Sequence, residues 1–90
     1  MKIIKIGAKW CPGCIVMKPR WKEIEEKDTA LKTVYYDFDE NKKEIQEYVK
    51  KGSNLPVFIF IGEDGKELER LQGEVTAEIL LGLIKKYKNK

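Results

Sequence analysis

Cys11 and Cys14 are the residues of this chain with the most chemistry to offer. They stand in Trp10-Cys11-Pro12-Gly13-Cys14 and are the only cysteines in the sequence. Two thiols separated by two residues come within bonding reach across one turn, so the pair can open and close as a redox switch. An apolar run, Ile3-Ile4-Lys5-Ile6, leads into them, and a helix-like stretch from Ile15 to Glu26 follows. A strand-to-helix junction would put the first sulfur at a helix N-terminus. Unpaired N–H groups and the helix dipole there favour a thiolate, the attacking form. Cys11 is therefore expected to be the exposed nucleophile at the helix mouth. Cys14 is expected one turn inside, on the face that packs against a sheet.

Other uses of such a pair compete with this one. A structural disulfide suits a secreted mini-protein, but the sequence opens on Met1 and shows no secretory signal. A cytoplasmic protein is expected on that basis, and there a CxxC pair is more often catalytic than structural. A zinc or iron–sulfur site needs about four ligands. With two cysteines and no histidine, a complete site would require two copies of the chain to share it. No metal or other cofactor is expected, and a shared iron–sulfur cluster held through Cys11 stays open as an alternative.

Ninety residues make one domain, 1–90, able to close a single core. The net charge is only +3, with acidic residues interleaved among the lysines. That distribution lacks the basic stripe of a nucleic-acid surface. No apolar stretch approaches a membrane span. The lysine-rich end, Lys85 to Lys90, reads as a solvated helix terminus with cations at the negative pole of the dipole.

The hydrophobic pattern alternates strands and helices. Lys2 to Ile6 reads as a first strand. Cys11 to about Lys27 reads as a helix with Cys14, Met17, Trp21 and Ile24 on one face. Leu31 to Phe38 is a second strand. Asn41-Lys42-Lys43-Glu44 resembles a capping box and opens a second helix, with Ile45, Tyr48 and Val49 apolar and Gly52 closing it. Leu55 to Ile61 is a buried strand, Gly62 to Gly65 a turn, and Lys66 to Gln72 its antiparallel partner. Thr76 starts a last helix carrying Ile79, Leu80, Leu83, Ile84 and Tyr87 on one face. The order is β-α-β-α-β-β-α, an α/β class with a four-stranded mixed sheet. Its first two strands should be parallel, joined by a right-handed crossover. Helices are expected on both faces, because the strands are too apolar to leave one wet.

Four markers in this order resemble the thioredoxin–glutaredoxin superfamily over nearly the whole chain. They are the Trp10-Cys11-Pro12-Gly13-Cys14 segment, Pro19 within the helix after it, Pro56 in Asn54-Leu55-Pro56-Val57, and Gly73 after the last strand. Trp10, Pro19 and Gly73 lean toward thioredoxin; Pro12 and the short chain lean toward glutaredoxin. The Gly73-Glu74-Val75-Thr76 segment lacks the second glycine and acidic pair of a glutathione site. The whole resembles a minimal thioredoxin-like protein.

The resemblance implies a thioredoxin fold, a monomer, and thiol–disulfide exchange in which Cys11 attacks and Cys14 resolves. Pro56 would follow a cis peptide bond. Trp10, Pro12, Gly13, Asn54, Leu55, Pro56 and Gly73 would form a small, mostly apolar docking surface. The implied partners are disulfide-bearing proteins and a dithiol reductase as electron donor. A glutathione-dependent reductase is the alternative.

One position departs from the family. Thioredoxins usually carry a buried carboxylate six residues before the first cysteine, and here that residue is Lys5. It shares a strand face with Ile3 and Gly7. Either it snorkels its amine to the sheet edge, or it lies buried near Cys14, paired with Asp37 or favouring the Cys14 thiolate. An unpartnered buried amine is costly, which favours the first.

Overall fold

The computed structural model describes residues 1–49 and 54–89. Their elements run β1 Lys2–Gly7, α1 Pro12–Lys27, β2 Lys32–Asp37, α2 Lys42–Ile45, β3 Val57–Ile61, β4 Glu67–Gln72 and α3 Ala77–Tyr87. The four strands form one sheet in the order β2-β1-β3-β4. β1 and β2 are parallel; β3 runs antiparallel to both β1 and β4. This is the mixed sheet expected from the sequence.

The two central strands carry the least polar residues, since both their faces are covered. Ile3, Ile4 and Ile6 of β1 and Val57, Phe58, Ile59 and Phe60 of β3 are all buried. Side chains alternate between faces along a strand, so these runs feed two cores. On one face Ile3, Phe58 and Phe60 meet Met17, Trp21 and Ile24 of α1 and Leu80 and Ile84 of α3. On the other, Ile4, Ile6, Val57 and Ile59 meet Ile45 of α2. Helices therefore flank both faces.

Local chemistry sets the helix ends. Cys11 is the N-cap of α1 and Pro12 follows at its first position, where a missing N–H has no bond to lose. Pro19 lies inside α1, and the N–H of Asp28 closes the helix on the Ile24 carbonyl. The Thr76 hydroxyl caps α3 by accepting from the Ile79 N–H at 3.2 Å.

Some expectations change. α2 is a single turn of four residues. Asn41 makes no capping bond to it, because its side-chain oxygen accepts from the Asp37 N–H instead, at 2.9 Å. Tyr48 and Val49 still turn partly inward toward the Ile4–Ile59 core. Gly52, expected to close that helix, lies outside the described residues. In α3, Ile79 is 48% exposed. Leu80, Leu83, Ile84 and Tyr87 repeat at helical spacing and face the core, which turns the residue before Leu80 about 100° away.

Candidate active site

Cys11 and Cys14 are joined as a disulfide, with their Cα atoms 5.2 Å apart. β1 delivers the chain to this point through Gly7 and Ala8, and α1 begins immediately after it. Cys11 is tied down through each of its polar atoms. Its N–H donates to the Ala8 carbonyl (3.3 Å) and its carbonyl accepts from the Ile15 N–H (3.1 Å). Its sulfur accepts from the Cys14 N–H at 3.2 Å. Cys11 is consequently 4% exposed, whereas Cys14 is half-buried. The expected exposure of Cys11 is thus corrected: these bonds recess the residue in the turn it caps. What distinguishes Cys11 is the N–H aimed at its sulfur from the first turn of α1, a group that favours sulfur as thiolate.

Pro56 lies across from the dithiol turn. The Leu55–Pro56 peptide is cis, as the resemblance implied, and Pro56 is buried while Leu55 is half-buried and Asn54 exposed. A Cβ added to Gly13 would stand 3.2 Å from Pro56 Cδ. Gly13, having no side chain, permits this close approach. Gly73 joins the same corner: its N–H donates to the Pro56 carbonyl at 2.7 Å, and its φ of +86° is one that favours glycine. Gly73, Pro56 and Gly13 are therefore linked around the disulfide.

Trp10 forms the rim. It is 61% exposed, yet its indole N–H donates to the Asp39 carboxylate at 2.7 Å. Its ring also meets Phe38 edge-on, with centroids 6.2 Å apart. Asp39 was not singled out from the sequence; it lies in the turn after β2. Pro12 and the nearby Ile15 and Val16 are exposed as well, so the surface around the disulfide is apolar.

Lys5 and Asp37 are not partners. Lys5 Nζ bonds Glu25 of α1 at 2.9 Å and lies over the Trp21 ring, 5.5 Å from its centroid. Glu25 also accepts from the Thr33 hydroxyl. Burial would raise the Glu25 pKa, but the Thr33 hydrogen bond and the Lys5 ammonium outweigh it and hold the carboxyl below its ordinary range. The Asp37 carboxylate accepts the N–H groups of Asp39 and Glu40, which pins the turn after β2. Glu25 is eleven residues beyond Cys14 on α1, about 16 Å along a helix axis. The Lys5 amine is drawn away from the sulfur by that pairing.

An open groove of about 870 Å³ runs along α1 past Cys14, Trp21, Tyr35 and Asp37. Among the described residues, no cluster of three or more His, Cys, Asp or Glu side chains is disposed to hold a metal. None of their helices is long and apolar enough to cross a membrane.

A strand, a cysteine-capped helix, a second cysteine one turn on and a cis-proline facing them define a dithiol–disulfide protein. The chain belongs to the thioredoxin family: the family model described as Thioredoxin matches residues 1–81. It is 32% identical over 83 residues to Thioredoxin H5 of Arabidopsis thaliana, spanning 92% of this chain and 68% of that protein. Among solved structures it resembles the thioredoxin NaTrxh of Nicotiana alata, at 29% identity and a TM-score of 0.83, covering 96% of this chain and 71% of that one. The reduced Schistosoma mansoni thioredoxin is similar at 28% identity and a TM-score of 0.79, over 96% and 77% of the two chains. Family and cysteine pair together support thiol–disulfide oxidoreductase chemistry.

Proposed function

We propose that this chain reduces or exchanges protein disulfides, with Cys11 as the attacking and Cys14 as the resolving thiol. The Cys11 thiolate attacks one sulfur of the partner's disulfide. A Cys11–partner bond forms, the partner's S–S bond breaks, and the displaced sulfur leaves with the electron pair and takes a proton. Cys14 then attacks Cys11, closing the Cys11–Cys14 disulfide and releasing the second partner sulfur. Two electrons pass from the dithiol to the partner, and a dithiol reductase returns them. The protein acts as a cytoplasmic monomer without a bound cofactor.

The observation that carries this reading is the Cys14 N–H aimed at the Cys11 sulfur. It makes Cys11 the easier of the two to ionise. In this reading Trp10, Pro12, Gly13, Asn54, Leu55, Pro56 and Gly73 form a small, mostly apolar docking surface beside the dithiol. There an extended partner segment pairs with the Leu55 backbone in the manner of an added strand. The test is a trapping experiment. Cys14→Ser should accumulate a mixed disulfide on Cys11 with a disulfide-bearing protein, and Cys11→Ser should trap nothing. Trapping through Cys14 in the second variant would reverse the assignment. Trapping by neither would end the reading.

A further inference from the structure

Two groups converge on Gly7, and the dithiol chemistry uses only one of them. A Cβ built at Gly7 would stand 3.2 Å from Cys14 Sγ, 3.2 Å from the Tyr35 hydroxyl and 3.3 Å from Cys14 Cβ. Sulfur and phenol oxygen therefore flank one point, no further apart than twice that distance. Nothing from Gly7 stands between them, because the residue at that point has no side chain. The strand register explains the meeting. Tyr35 of β2 is the parallel partner of Lys5, and Asp37 that of Gly7; on β1 and β2 these residues share the face that α1 covers. Tyr35 is 55% exposed, but its hydroxyl lies over Gly7, on the side of the second cysteine.

We propose that Tyr35 is a catalytic residue for the resolving step, its hydroxyl donating a hydrogen bond to the Cys14 thiolate once the disulfide is open. The proposal rests on the dithiol chemistry of the preceding section and adds a residue to it. Three of the carboxylates lining this space are already engaged: Glu25 by Lys5 and Thr33, Asp37 by the N–H groups of Asp39 and Glu40, and Glu40 by Lys9. The phenol also keeps its proton. Burial raises its pKa above the ordinary 10.0, and the Asp37 and Glu40 charges push the same way against Lys9. A protonated phenol is a donor, and a thiolate accepts readily from one. The charges facing this space are Lys5 and Lys9 from β1 and the loop after it, Lys18, Lys22, Glu25 and Glu26 from α1, and Asp37 and Glu40 from β2 and its turn.

In the resolving step the Cys14 proton passes to water in the open groove. The Cys14 thiolate attacks Cys11, the Cys11–Cys14 bond forms, and the Cys11–partner bond breaks. Its electron pair leaves on the partner sulfur, which takes a proton from water. Tyr35 is unchanged throughout; it lowers the cost of the charge on Cys14 before attack.

Tyr35→Phe removes the hydroxyl and keeps the ring. The first measurement is the rate of alkylation of Cys14 by iodoacetamide against pH, in a Cys11→Ser background. Without the hydroxyl, the Cys14 thiol pKa should rise by about one pH unit, a tenfold smaller thiolate fraction below it. The second is single-turnover exchange with the Cys11–Cys14 protein. Attack by Cys11 should keep its rate while resolution slows about tenfold, as expected when a hydrogen bond to an ionised sulfur is lost. A merely structural role for the ring would move neither the titration nor the ratio of the two steps. Identical Cys14 titrations with and without the hydroxyl would overturn the proposal. That titration needs no protein partner, so its failure leaves the dithiol reading intact, whereas failure to trap on Cys11 sinks the dithiol reading and leaves the titration meaningful.

Discussion

Lys5 shows what a single residue reveals in sequence and what it conceals. Its strand face was legible, because alternation along Ile3-Lys5-Gly7 places all three on one side. Its partner was not, since Glu25 lies 20 residues on, in a helix whose rotation over the sheet no local pattern gives. Trp10 is a parallel case: its rim position could be read from its place before Cys11, but its anchor at Asp39 is 29 residues away. The pairing with Glu25 changes what Lys5 is expected to do. Its side chain is 14% exposed, so the bond and the contact with Trp21 are partly shielded from water. Lys5→Met should lower the unfolding free energy by about 1 kcal/mol, the upper end for a partly exposed pair. It should leave the rate at which Cys14 resolves a mixed disulfide unchanged. Urea titration and single-turnover kinetics on the same samples measure both. A slowed resolving step with unaltered stability would return Lys5 to the active site.

At the scale of elements, what can be read depends on whether a segment's signals are local. α3 is the clear case: Thr76 supplies the cap, Leu80, Leu83, Ile84 and Tyr87 supply the stripe, and helix and cap appear where those residues put them. α2 is the opposite case. Its apolar residues were identified correctly as facing inward, but its helical length was not. The Asn41 side chain serves the end of β2, and the Tyr48 carbonyl is satisfied from across the fold by Arg70 of β4. The two helices should differ in how they respond to loss of a side-chain oxygen. Thr76→Ala removes the side-chain bond that caps the first turn of α3 and should cost about 1 kcal/mol. Exchange activity should be preserved, because α3 packs on the core through Leu80 and Ile84, away from the cysteines. Equilibrium denaturation decides it, and no measurable loss would show that the cap is already replaced by water.

The molecule as a whole is a sheet with a core on each side, and polar side chains tie the outer elements to it. The parallel β1–β2 pair and the β3–β4 hairpin could be anticipated, from a β-α-β start and a short connection; the antiparallel join of β1 to β3 could not. The ties could not, because they join residues distant in sequence. Glu25 links α1 to both β1 and β2 through Lys5 and Thr33. Glu67 binds Arg70 at 2.8 Å, and Arg70 in turn reaches the segment after α2. Both carboxyls are held below the ordinary 4.5. For Glu25, burial is outweighed by Thr33 and Lys5; for Glu67, the Arg70 hydrogen bond leads. A carboxyl with a depressed pKa binds its proton more weakly in the folded chain than in the unfolded one. Its stabilisation is complete above about pH 4.5 and is lost as the pH falls through the folded value. Below both values the two states are equally protonated and nothing remains. Unfolding free energy should thus fall between neutral pH and pH 3, and added salt should weaken the more exposed Glu67 pair more than the Glu25 network. Glu25→Gln keeps the shape and removes the titration. Its stability at neutral pH should be lower than the parent's, and its further loss on acidification smaller. Urea titrations of both proteins at pH 7 and pH 3 provide the comparison. Equal acid losses in the two would show that the carboxyl bridging helix and sheet contributes nothing to the acid response.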